Sequence, residues 1–125
     1  MTKQVVKTAN APQPIGPYSQ GVMVDGFLFV SGQGGVDPSS GRLESDIESQ
    51  TRQTLTNVKN IVEAAGLSLS SIVRVAVYLK RMSDFNQMND VYKTFFNEAP
   101  PTRTTVQVEL PRPEMLIEID AVAHQ

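Results

Sequence analysis

The four residues Phe27-Leu28-Phe29-Val30 restrict the possible folds more than any other part of the chain. They follow Asp25-Gly26, and Asp-Gly between two apolar runs is the strongest short-range hairpin signal. The predicted hairpin pairs Gly21–Val24 with Phe27–Ser31. A strand that is apolar on both faces needs cover on both sides of its sheet. The remaining sequence must supply that cover, or a second molecule must.

Two helices are predicted. Ser45-Asp46-Ile47-Glu48 reads as a capping box, and Ile47, Thr51, Leu55, Val58, Val62 and Ala65 then recur at three- and four-residue steps. Thr54 and Ile61 lie beside that stripe, and Gly66 ends the helix as the residue past the C-cap. Ser83-Asp84 opens the second helix, whose apolar side is Phe85, Met88, Val91, Tyr92 and Phe95, and Pro100-Pro101 stops it. Those Met and Phe residues read as core.

Period-two alternation marks the strands. Lys3–Thr8 is a short one, and Ile72–Leu79 places Val73, Val75, Val77 and Leu79 on one face with Arg74, Ala76 and Tyr78 on the other. Near the end of the chain, Thr102, Thr104, Val106 and Val108 alternate with Arg103, Thr105 and Gln107. After a proline-rich turn, Ile117, Ile119, Ala121 and Ala123 form an apolar face, and Glu118 and Asp120 point the other way. The order is β-β-β-α-β-α-β-β. It predicts an α+β fold: one mixed sheet with two helices on one face, in a single domain spanning residues 1–125. Two helices cover one face only, so a homo-oligomer is expected to cover the other.

Composition narrows the chemistry. The 125 residues contain no cysteine, which excludes disulfides, thiolate nucleophiles and Cys-ligated zinc. The single histidine, His124, stands next to the C-terminal residue, which argues against a Ser-His-Asp triad or a His-rich metal site. A formal net charge of −2 gives no field for nucleic acid or an anionic membrane. No apolar run approaches the ~20 residues of a membrane span, and the first residues lack a signal-peptide or transit-peptide pattern, so a cytoplasmic protein is expected. Chemistry must then rest on Arg, Glu, Asp, Tyr, Ser, Thr, the backbone and water.

Arg103 is the natural receptor for a carboxylate, because its planar fork binds bidentately and stays charged. Glu118 is suited to position or deprotonate a water. From alternation alone the two are expected to meet at one polar spot of the sheet, although two solvated side chains without a role fit the same pattern. Tyr18 is set by the rigid Gly16-Pro17 pair in a proline-rich loop. Ser31-Gly32-Gln33-Gly34-Gly35 lacks the spacing of a phosphate loop, and its glycines read as positions of close backbone approach.

Several stretches together resemble the reactive-intermediate (enamine/imine) deaminase family, the RidA/YjgF proteins. They are residues 11–21 (Ala-Pro-Gln-Pro-Ile-Gly-Pro-Tyr-Ser-Gln-Gly), 30–33 (Val-Ser-Gly-Gln), 51–66, 84–92, Arg103 and the Ile-Glu-Ile-Asp-Ala-Val-Ala strand. The resemblance implies a chorismate-mutase-like fold and a homotrimer with three clefts between subunits. It implies that Arg103 clamps the substrate carboxylate, that Glu118 holds the attacking water, and that Tyr18 closes the cleft from the adjacent subunit. Ser31, Gly32 and Asn89 fall on cleft-lining positions. The implied substrates are 2-aminoacrylate-type enamines and their imine tautomers, released by pyridoxal-phosphate-dependent serine or threonine dehydratases. They are hydrolysed to 2-keto acids and ammonia, with no cofactor on the deaminase.

Two departures bear on substrate preference. Thr105 stands where the family often has cysteine, and it can still hydrogen-bond a carboxylate; Gly34-Gly35 replaces a common Ile-Pro. A non-catalytic trimer that binds keto acids is the alternative, and retention of both Arg103 and Glu118 favours catalysis over it. Ribonuclease or translation-inhibitor activity is a remote third reading, opposed by the near-neutral charge, the few aromatics and the lack of a general-base histidine.

Overall fold

The computed structural model describes residues 2–125. Its elements are β1 (Gln4–Val6), β2 (Gly21–Val24), β3 (Phe27–Gln33), α1 (Ile47–Ala64), β4 (Ile72–Leu79), α2 (Phe85–Phe95), β5 (Thr102–Gln107) and β6 (Ile117–His124). This is the predicted β-β-β-α-β-α-β-β order. The strands form one six-stranded sheet in the order β1-β2-β3-β6-β4-β5. Only the β4–β5 pair is parallel, and the other four pairs are antiparallel. Helix α2 makes the long crossover that a parallel neighbour requires.

The hairpin forms as expected. Asp25 (φ 52°) and Gly26 (φ 78°) both take the left-handed conformation that a two-residue primed turn demands. Strand β3 runs two residues past its expected end at Ser31, with a register shift between Val30 and Gln33 against β6. That bulge brings Gly32 under Glu118.

Both helices pack on one face of the sheet. Leu28, Val30, Val75, Val77, Leu79, Ile117, Ile119 and Ala121 meet Leu55, Val58, Ile61 and Val62 of α1 and Met88 and Tyr92 of α2 in a single core. Shortening a fully buried leucine such as Leu55 is expected to cost about 2–5 kcal/mol.

Three local expectations need correction. The α1 cap is Asp46, not Ser45: its carboxylate accepts from the Ser49 amide at 2.8 Å, and the Ser49 hydroxyl accepts from the Asp46 amide. A charged acceptor at the positive end of the helix prevails over the hydroxyl one residue earlier. Helix α2 ends at Phe95 rather than at the prolines, because Phe96 turns inward to stack on Tyr92 at 4.8 Å. Val73 does not join the core. A register shift between Ile72 and Arg74 buries Ile72 and leaves Val73 48% exposed.

The second face of the sheet carries Val5, Phe27, Phe29 and Val106, all exposed, with Phe29 at 48%. Ala76, expected to be open, is buried among its strand neighbours Asp120 and Thr104. Tyr78 on this face donates its hydroxyl to Asp120 at 2.8 Å. Desolvation and that hydrogen bond to a carboxylate push the Tyr78 phenol up, the hydrogen bond being the larger cause. No helix among the described residues is long and apolar enough to cross a membrane.

Candidate active site

The sequence-predicted residues fall into two groups on opposite faces of the sheet. Arg103 pairs in register with Val75, and Thr105 with Val77; both of those β4 residues are buried under the helices. Glu118 pairs with Tyr78 and lies on the second face. Val75 and Tyr78 are three residues apart, so the two charges are also offset by roughly 10 Å along the strands. The expectation that Arg103 and Glu118 share one polar spot is therefore wrong within one chain. Alternation predicts which residues share a face of their own strand. It cannot predict which faces of different strands coincide, because that depends on register.

Arg103 occupies the outer strand of the sheet. Its Nη1 donates to Asn89 Oδ1 at 2.7 Å, and its guanidinium lies over the rings of Tyr92 at 4.7 Å and Phe85 at 5.5 Å. Met88 Sδ sits 3.9 Å from the same nitrogen. Helix α2 thus presents an amide oxygen and two aromatic faces that orient the cation without neutralising it. Among the described residues no carboxylate pairs with it. On the same face the Thr105 hydroxyl is buried and has no hydrogen-bond partner. A buried hydroxyl without a partner is costly, and this one is already enclosed by its own chain.

Glu118 lies at the floor of a cavity of about 380 Å³ whose walls include Tyr18, Gly32, Gly34, Met115 and Arg112. Gly32 permits the close approach: a Cβ there would stand 2.4 Å from Glu118 Oε2. Glu118 accepts no hydrogen bond among the described residues; burial pushes its carboxyl above the ordinary range, and the nearby Asp120 carboxylate adds to the rise. Tyr18 is half-exposed at the rim, and its hydroxyl accepts from the Ile15 amide at 3.4 Å. Ser31 is turned aside, its hydroxyl donating to the Ser19 carbonyl at 2.6 Å. It therefore supports the Tyr18 loop and does not line the cavity.

Three buried amides that the sequence reading passed over hold the cavity walls. Gln20 accepts from the Thr8 amide and donates to the carbonyls of Thr8, Ala11 and Pro12, which ties down the proline-rich loop. Asn57 donates to the Gly34 and Val36 carbonyls. Gln50 donates to the carbonyls of Glu44 and Glu114 and accepts from the Leu116 amide. The available signal was a polar amide at positions 50 and 57, on the buried side of a helix. Gly34 and Gly35 are indeed sites of close approach: a Cβ on Gly35 would lie 2.7 Å from Gln50 Cα. No group of three or more His, Asp or Glu among the described residues is arranged to hold a metal ion.

The family profile described as Endoribonuclease L-PSP matches residues 8–125. A RutC family protein of Pyrococcus horikoshii is 49% identical over 98% of both chains. TdcF of Escherichia coli, named as a candidate reactive intermediate deaminase, is 43% identical, with 97% of this chain and 96% of TdcF covered. The crystal structure of TdcF with bound serine superposes with a TM-score of 0.94 at 42% identity, covering 98% of each chain. A Thermotoga maritima structure, described as a candidate endoribonuclease, gives a TM-score of 0.95 at 44% identity over 99% of this chain and 98% of that one. With its whole sheet and both helices shared with these relatives, the chain belongs to the endoribonuclease L-PSP family, the YjgF/RidA proteins.

Proposed function

We propose that this protein hydrolyses reactive 2-imino acids and their enamine tautomers to 2-keto acids and ammonia, in clefts between the subunits of a homotrimer. The observation that carries the proposal is the separation of Arg103 and Glu118. Among the described residues each lacks an oppositely charged partner, and each faces away from the other across one sheet. A second copy covering the exposed Phe27–Phe29 face brings one copy's Arg103 edge to the next copy's Glu118 cavity. Tyr18 then closes the cleft from the Glu118 side, and Arg103, Asn89 and Thr105 enter from the adjacent subunit. Kinship with TdcF supports the same reading.

In this arrangement Arg103 binds the substrate carboxylate bidentately, and Asn89 Oδ1 holds the guanidinium in place for it. That leaves C2 of the imine over Glu118. The carboxylate holds a water, accepts its proton as oxygen attacks C2, and returns that proton to nitrogen. The C–N bond then breaks as the hydroxyl gives its proton to the Glu118 carboxylate, a C=O bond forms, and ammonia leaves. A protonated imine is already electrophilic, so orientation and one placed water suffice. The raised Glu118 carboxyl is a stronger base than an exposed glutamate, which suits it to take a proton from water.

The test is release of ammonia and pyruvate when a serine dehydratase generates the imine in situ. Wild type should accelerate release, Arg103→Ala should abolish the acceleration, and Glu118→Gln should lower it about 10²-fold or more. No acceleration by wild type, with keto acid still bound, would identify a binding protein instead.

A further inference from the structure

The cavity over Glu118 contains a second cation that the reaction does not use. Arg112 lines the same wall as Tyr18 and Glu118. It stands in the sequence Pro111-Arg112-Pro113, where two rings fix the flanking backbone. The turn is pinned further from several directions. The Arg112 carbonyl accepts from the Met115 amide at 3.1 Å, and the Pro113 carbonyl accepts from the Lys80 ammonium. The Glu114 carbonyl accepts from Gln50 at 3.0 Å, and the Leu116 amide donates to the same Gln50 at 2.8 Å. An exposed turn with this many anchors holds its arginine at a fixed place on the cleft rim.

The guanidinium itself is weakly engaged. Among the described residues its one ion-pair partner, Glu114, is 3.8 Å away, beyond hydrogen-bond range, and both side chains are solvent-exposed. A second hollow shares Gly41 and Arg112 with this cavity and is lined also by Arg42 and by the carboxylates Glu44 and Glu114, so the less acidic surroundings of Arg112 are on the Glu118 side. Apart from Glu118 and Arg112 the cavity walls are mostly apolar or glycine, among them Ile15, Gly32, Gly34, Val36 and Met115. Arg112 is the cation that this wall places in the same cavity as Glu118.

We infer that Arg112 makes this cleft selective for 2-imino acids whose side chain ends in a second anionic group, a carboxylate foremost. The inference rests on the reading of the cleft as the imine site. Arg103 of the adjacent subunit takes the α-carboxylate, Glu118 the water, and Arg112 the distal anion. The reaction is otherwise unchanged: the C=N bond of a 2-imino dicarboxylate is hydrolysed to a 2-keto dicarboxylate and ammonia.

Product binding tests this without turnover. Titration calorimetry of the intact protein with 2-oxoglutarate and with 2-oxobutanoate should show about tenfold tighter binding of the dicarboxylate. Arg112→Gln should remove most of that ratio, and Arg112→Lys should keep part of it, because a point charge replaces a fork. Arg103→Ala should weaken both ligands. Equal affinities in wild type would overturn the inference. So would an equal loss on both ligands in Arg112→Gln, which would make Arg112 a second clamp on the α-carboxylate. A retained preference in a protein that turns over no imine would uphold Arg112 selectivity and refute only the deaminase reading.

Discussion

At the residue scale, Glu118 is a half-buried carboxylate held at a cost in stability. Burial and Asp120 both raise its carboxyl, so the folded state disfavours the ionised form. Its contribution to stability is present below the ordinary carboxylate range and is lost as pH rises through the raised value. Glu118→Gln should therefore melt higher than wild type at pH 7, and thermal scans should show that advantage shrinking towards pH 4. In the proposed reaction the same residue sets the acid limb of activity. Turnover should rise with pH as Glu118 ionises, with a midpoint above that of an exposed glutamate, and a pH–rate profile of kcat/KM measures it. Gly35 gives a purely structural contrast. Its missing Cβ would strike the α1 backbone at Gln50, whereas a Cβ on Gly34 would meet only the end of the Met115 side chain. Gly35→Ala should lose about 1–3 kcal/mol in chemical denaturation and Gly34→Ala clearly less.

At the scale of elements, α1 both covers the sheet and anchors the site. Its apolar stripe was legible because Leu55, Val58 and Val62 recur at helical spacing, and the Asp25-Gly26 turn was legible because few other dipeptides suit two positive φ values. The amides on the same buried side were harder to read, since Gln50 and Asn57 interrupt the stripe and find their partners in distant loops. Asn57→Ala removes both donors to the Gly34–Val36 segment. It should cost about 1–3 kcal/mol and increase hydrogen exchange in residues 33–36 more than in β6. The placement of Arg103 and Glu118 on different faces was not legible at all. Each strand shows its own alternation, but only the β4–β5 and β4–β6 registers relate one strand's alternation to another's. Arg112 was passed over because a charged residue between two prolines reads as an ordinary solvent-exposed turn.

At the scale of the whole molecule, the exposed face around Phe29 and the divided site are one problem with one solution. Phe29 is 48% exposed and outside the core cluster, so Phe29→Asp should leave the monomer folded by circular dichroism while sedimentation shows the proposed trimer lost. Activity should vanish with it, although every residue of the site remains. The most direct test of a cleft shared between subunits is complementation. Arg103→Ala and Glu118→Gln proteins, each nearly inactive alone, are unfolded together in equal amounts and refolded. In a randomly mixed trimer an intact cleft needs an Arg103 from one copy and a Glu118 from its neighbour, so about a quarter of wild-type activity should return. If both residues act from the same chain, every cleft in the mixture still lacks one of them. No recovery in trimers shown to be mixed would then contradict the shared cleft.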